Sequence, residues 1–242
     1  MGHATASEHL AEPMKHLYRH WESQRKAVAA RGERTLLPHS FTIVISREAG
    51  TQGTAISQEV GKRLGWQVYD HELLEQIAQD MRLRAALLES VDERHQSWLT
   101  ETFEAFMSAS GKSEWEPLVS ESAYVHHLVR TVLALGAHGE CVIVGRGAPF
   151  ILPVETTLRV RLVGPVRERI AALSRKLSLA ERKAELQIRT IDRERTDFVQ
   201  DHFFKDPTDP RNYDLVLNVF RLSVGSCSDL IVDTLHLLEA RG

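Results

Sequence analysis

The chain has 242 residues, 43% hydrophobic and 26% charged, which suffices for one substantial domain with room for a helical insertion or lid. A formal charge of -3 argues against a general binder of nucleic-acid polymers, no apolar run reaches the length of a membrane span, and the N-terminus lacks the apolar core of a secretory signal. Two cysteines, Cys141 and Cys227, make no disulfide framework, so buried free thiols in a reducing, cytoplasmic setting are expected.

Residues 1–39 are polar and bounded by Pro13 and Pro38. Periodicity predicts a helix from about Met14 to Arg31, with Leu17, Trp21 and Val28 on one face, as an arm that docks on the body or on a second subunit. His16 and His20 have the i,i+4 spacing of helical metal ligands, but with no third ligand nearby they read as a solvated face.

Strands and helices then alternate. "FTIVIS" (Phe41–Ser46), "WQVYD" (Trp66–Asp70), "CVIVGR" (Cys141–Arg146), "LRVRLVG" (Leu158–Gly164) and "YDLVLN" (Tyr213–Asn218) read as five short strands. Ile56, Val60 and Leu64 share a helical face that Gly65 ends. The stretch from His71 to about Gly136 is largely helical, with a break near Ser108–Pro117. A charged helical stretch from Pro165 to about Asp201 breaks near Leu177–Leu179, and a last helix runs from Val224 to Ala240. Apolar strands separated by helices imply an α/β fold with a five-stranded parallel sheet covered on both faces. Ligands of such sheets bind beyond the strand C-termini, where Arg47, Glu48, Asp70, Arg146 and Asn218 stand.

The stretch "ISREAGTQGTAIS" (Ile45–Ser57) follows the first strand and opens the first helix. Gly50 and Gly53 let the backbone approach a phosphate, and the free N–H groups of the helix's first turn point at it. Glu48, Ala49, Gly50, Thr51, Gln52, Gly53, Thr54 and Ala55 are therefore candidate triphosphate-binding residues. The full pattern G-x-x-x-x-G-K-[ST] is absent, because neither register of the loop supplies the lysine. Arg47, at the loop's entrance, is the candidate replacement cation, since arginine pairs bidentately with phosphate and keeps its charge. An ion pair with Glu48 is the alternative. Asp70, before "HELLEQIA", reads as a helix N-cap and as an acceptor contact, two roles that do not exclude each other.

"ISREAGTQGTAISQEVGKRLGWQVYDHELL", "CVIVGRGAPFIL", "LRVRLVGPVRERI", "IRTIDRERTDF" and "NYDLVLNVFRLSV" together resemble the cytidylate kinase-like family, a divergent branch of the nucleoside monophosphate kinases. The resemblance spans roughly residues 41–240 in order and implies a P-loop NTPase domain over 40–242. It also implies a helical acceptor-binding region at about 71–138 and a lid at about 177–206. The activity so implied is transfer of a phosphoryl group from ATP, with Mg2+, to a nucleoside monophosphate, CMP or dCMP first. Arg146 would meet the acceptor phosphate, and Arg189, Arg193 and Arg195 would serve in the lid. Glu48 and Thr54 are candidates beside the metal. Asn218 is a weaker candidate near the donor base and reads equally as the start of a turn, and for Arg169 and Arg175 lining the donor base and facing solvent are both open. The missing lysine keeps two further readings open: a nucleotide-binding regulator without efficient transfer, and a kinase of another small phosphate acceptor. No membrane partner is expected, and the arm or the helical region could support a homo-oligomer.

Overall fold

The computed structural model describes residues 40–91, 93–110 and 121–241. The expected N-terminal helix, with His16 and His20, and most of the break near Ser108–Pro117 lie outside the described residues. The elements are β1 (Thr42–Arg47), α1 (Gly53–Leu64), β2 (Gln67–Tyr69), α2 (His71–Gln79), α3 (Met81–Ser90), α4 (Glu93–Ser110) and α5 (Glu121–His138). They continue with β3 (Cys141–Val144), β4 (Thr157–Val163), α6 (Val166–Leu177), α7 (Glu181–Phe203), β5 (Leu215–Asn218) and α8 (Val224–Glu239). The strands form one parallel sheet of order β2-β3-β1-β4-β5, with Thr42 opposite both Cys141 and Thr157, Gln67 opposite Cys141, and Val160 opposite Leu215.

Alternation along the strands divides the interior into two layers. Ile43, Ile45, Val142, Val144, Leu158, Val160 and Leu162 pack with Ile56 and Val60 of α1 and with Cys227, Ile231 and Leu235 of α8. Val44, Cys141 and Ile143 point the other way and are covered by apolar residues of α2 to α5, including Leu74, Ile77, Leu87, Leu128 and Val132. Both faces are buried, so the strands read as continuous apolar runs. Strand β4 is the exception: its alternate positions on the second face are Arg159 and Arg161.

Local chemistry ends the elements where the sequence suggests. Gly65 closes α1 in the left-handed region (φ 70), and Asp70 caps α2 by accepting the Leu73 N–H at 3.0 Å. Ser178, also left-handed, separates α6 from α7. The segment from 71 to 138, expected as largely helical with one break, is four helices among the described residues. Asp80 caps α3 through the N–H groups of Arg82 and Leu83. Both cysteines are free and buried. No described helix is long and apolar enough to cross a membrane.

Candidate active site at the strand C-termini

The site forms where β1, β3 and β4 end. The loop after β1 opens on Glu48, whose N–H donates to Leu162 O at 3.1 Å, then turns through Gly50 (φ 83) and Gln52 (φ 53) into α1. Gly50 is required twice, by its φ and because a Cβ there would stand 2.8 Å from Arg169 O. Gly53 opens α1 against the Arg47 side chain, where a Cβ would meet Arg47 Cδ at 2.5 Å, and a Cβ on Gly145 would meet Arg47 Nη1 at 3.1 Å. The loop therefore wraps the Arg47 side chain and directs its guanidinium toward the end of β3. At the start of α1 the N–H groups of Ala55 and Ile56 donate to Gln52 O at 3.0 and 3.2 Å, whereas those of Gly53 and Thr54 precede the helical ladder and are open to an anion.

After β3, Gly145 (φ 85), Arg146 (φ 52) and Gly147 (φ 72) are all left-handed. A positive φ is uncommon for arginine, and its backbone is strained here between the two glycines. Its Nη2 pairs with Glu75 of α2, its Nε is buried without a hydrogen-bond partner, and its Cζ stands 5.6 Å from the centre of the Phe198 ring. Glu75 also lies 3.5 Å from the Tyr124 hydroxyl, whose pKa burial pushes up to about 12.

Helix α7 closes the site from above. Asp192 accepts the Ala49 N–H at 2.7 Å and pairs with Arg169 Nη1 at 2.5 Å. Arg195 donates to Arg47 O at 3.0 Å. Arg169 also meets Glu48 at 3.4 Å and donates to Gly164 O and Ala49 O, while Glu48 accepts the Gly164 N–H at 3.0 Å. Loop, β4 end and α7 are thus tied together through one buried guanidinium.

Between these elements lies a cavity of about 430 Å3. Arg47, Arg146, Arg195 and His71 line it near the strand ends; Phe150, Ile191, Phe198 and Val199 form apolar wall; and Arg161, Ser46, Pro207 and Thr208 line it as well. Among the described residues Arg47, Arg161 and Arg195 make no ion pair. Burial, and then the charges of Arg195 and Arg146, lower the pKa of Arg47 to about 10, against the opposing pull of Asp70. Arg195 is lowered by burial foremost, with Asp192 opposing. His71 is lowered by burial and then by Arg47 and Arg146, and its Nδ1 is buried without a hydrogen-bond partner. Arg47 and Arg195, without ion pairs and lining the cavity together with Arg146, are cations suited to an anion with several charges.

The candidates separate accordingly. Arg47, Glu48, Arg146 and Arg195 line the cavity; Asp70 caps α2 beside it. Arg189 and Arg193 stand on the outer face of α7, 74% and 84% exposed at the side chain, paired with Glu185 and Asp197. Arg169 is a buried tie, Arg175 is exposed and donates to Ala171 O, and Asn218 receives the Phe220 N–H in a turn. Glu75, His71 and Arg161 escaped the sequence reading. Glu75 follows His71 by four residues and so shares its helical face, and Arg161 is a charge at an alternate position of an apolar strand; both signals were present.

As for magnesium, Glu48 Oε2 is already held by Gly164 N–H and Arg169, and Thr54 is exposed with no hydrogen bond from its hydroxyl among the described residues. Among those residues no group of three or more His, Cys, Asp or Glu side chains could hold a metal. The donor set fits an ion carried on a nucleotide's phosphates, with Thr54 and the open Glu48 Oε1 beside it.

The profile of the cytidylate kinase-like family matches residues 42–220. Among solved structures, an uncharacterized protein from Eubacterium ventriosum shares the fold, with a TM-score of 0.63 at 20% identity over 81% of this chain and 98% of that one. Shikimate kinase from Bacteroides thetaiotaomicron aligns over 81% and 98% of the two chains at 12% identity and a TM-score of 0.44, a likeness too slight to carry weight. A stretch of 117 residues is 27% identical to uronate isomerase from Corynebacterium glutamicum, covering 48% of this chain; the chain spans only 23% of that relative's length.

Proposed function

The chain belongs to the cytidylate kinase-like family, and on that footing we propose that it transfers the terminal phosphoryl group of ATP to a nucleoside monophosphate, CMP or dCMP first. Family membership supports phosphoryl transfer in general. The observation that carries the finer reading is the convergence of unpaired Arg47 and Arg195 with Arg146 on one cavity at the strand C-termini.

In this reading the triphosphate lies on the loop from Glu48 to Ala55, met by backbone N–H groups at the start of α1. Arg47 takes the place of the missing lysine. It enters from below the loop, between Gly53 and Gly145, and so reaches the phosphoryl group in transit. Arg146 holds the acceptor phosphate, and Asp70 and Glu75 keep α2 and that arginine in register. An acceptor phosphate oxygen bonds to the γ-phosphorus as the bond to the β-phosphate oxygen breaks, giving ADP and a nucleoside diphosphate. Arg195 comes from α7, the lid, and with Arg47 it stabilises charge spreading over the transferred oxygens. The helix also excludes water, which favours transfer over hydrolysis. Bound Mg2+ would supply further charge neutralisation on the phosphates, with Thr54 and Glu48 beside it.

One contact favours a second reading, a nucleotide-binding regulator. The Asp192 carboxylate occupies the Ala49 N–H of the phosphate loop, so a bound nucleotide competes with α7 for it. Incubation with ATP, Mg2+ and a panel of nucleoside monophosphates, followed by separation of diphosphates, decides between them. Diphosphate formation with CMP or dCMP supports the kinase. ATP binding without transfer to any acceptor supports the regulator, and absence of ATP binding sinks both.

A further inference from the structure

Arg161 lies outside every role given above. It is 7% exposed, projects from β4 on the face opposite Leu158, Val160 and Leu162, and lines the cavity. Its Nη1 donates to Ser46 Oγ at 3.0 Å and lies 3.5 Å from the Tyr213 hydroxyl, with Cζ 5.6 Å from the centre of the Tyr213 ring. Its Nε and Nη2 make no hydrogen bond, and it makes no ion pair among the described residues, Asp206 being a carboxylate that feels its charge from a greater distance. A buried guanidinium normally has a paired anion or a full set of acceptors. Here the side with no acceptor belongs to a residue that lines the cavity.

Arg161 is also separated in register from the phosphate-facing cations. Ser46 pairs with Arg161 across β1 and β4, on the sheet face of Val44, whereas Arg47 turns into the loop. The walls include the rings of Phe150 and Phe198, which suit a flat group.

We propose that Arg161 binds the end of the acceptor remote from the transferred phosphoryl group, and that this end presents two adjacent hydrogen-bond acceptors with no donor between them. The inference rests on the kinase reading for the orientation of the acceptor. Guanidinium offers donors only, in a planar fork, so it selects a partner with two neighbouring lone pairs. The N3–O2 edge of cytosine is such a group, and so is a carboxylate. Uracil carries a hydrogen on N3 and presents a mismatch.

Equilibrium binding tests this without depending on turnover. The full chain, Arg161→Met and Arg161→Lys are titrated with CMP, UMP and a small hydroxycarboxylate, citrate, in the presence of a non-hydrolysable ATP analogue. Thermal melts verify that each variant is folded, and the lysine variant serves where the methionine one is not. The expected result is that wild type binds CMP or citrate more tightly than UMP. Loss of the charge-assisted hydrogen bonds weakens that ligand roughly 10- to 100-fold in Arg161→Met and less in Arg161→Lys. Affinity for the ATP analogue stays within about twofold in both, as expected of a residue away from the triphosphate. A preference for CMP identifies a cytosine edge and a preference for citrate identifies a carboxylate. Wild-type binding of none of the three, or equal binding by wild type and the folded variants, overturns the inference. Failure of wild type to bind the ATP analogue instead sinks the kinase reading, whatever Arg161 does.

Discussion

Arg169 and Arg161 are buried to the same depth, 6% and 7% exposed, yet their surroundings are opposite. Arg169 is engaged through Nε and Nη1, with Glu48 and Asp192 as counter-charges and the carbonyls of Gly164 and Ala49 as acceptors. The arginines lining the cavity, Arg47, Arg161 and Arg195, make no ion pair among the described residues, although Asp70 acts on Arg47 and Asp192 on Arg195 from a greater distance. A buried cation with its anions supplied by the protein joins elements, whereas one without them awaits an anion from elsewhere. One region thus holds the loop, β4 and α7 together, and the other leaves electrostatic need for a ligand to meet.

The sharpest way to break this contrast is to remove the tie. Arg169→Met leaves Glu48 and Asp192 facing each other without a cation, and the loss of stability is expected to be about 3–5 kcal/mol, read by urea denaturation. A loss near zero would mean that the tie holds nothing. Arg47→Met should do the reverse. Its stability should equal or exceed wild type, since a guanidinium with pKa lowered to about 10 by burial is removed. Phosphoryl transfer should fall about 10²- to 10³-fold, measured as kcat. Wild-type turnover in that variant would end the assignment of Arg47 as the replacement for lysine.

A smaller effect is expected from His71. Its folded pKa lies below the ordinary 6.5, by burial first and then by Arg47 and Arg146. The unfolded chain therefore takes up the proton first. Stability from this group is complete above about 6.5 and declines as the pH falls from there through the folded pKa. Unfolding midpoints measured from pH 8 to pH 5 should slope less in His71→Gln than in wild type. The smallest effect is expected on the outer face of α7, where Arg189→Ala and Arg193→Ala remove exposed i,i+4 pairs. Stability should change by less than about 0.5 kcal/mol and kcat by less than twofold. A large drop in kcat would show that these side chains swing inward during turnover.

Much of the fold was legible. Strand runs such as "CVIVGR", the glycine that ends α1, and the break between α6 and α7 are local signals, and β1 differs from its expected span by one residue at each end. The site was legible in part. "RTIDRERTDF" contains four charges of similar appearance, and spacing could not say which face of α7 meets the loop. The structure turns Asp192 and Arg195 inward and Arg189 and Arg193 outward.

By itself, then, the sequence determined the order and kind of the elements, the glycine-bearing turn after β1, and the resemblance that named the family. These rest on period, turn chemistry and short motifs, which act within a few residues. Only the tertiary structure decided that Arg169 joins Glu48 to Asp192, and that Arg161 shares a cavity with Arg47. Those relations connect residues far apart in the chain through strand register and helix packing. A charge in the sequence looks the same whether folding brings it a partner or leaves it facing an open cavity.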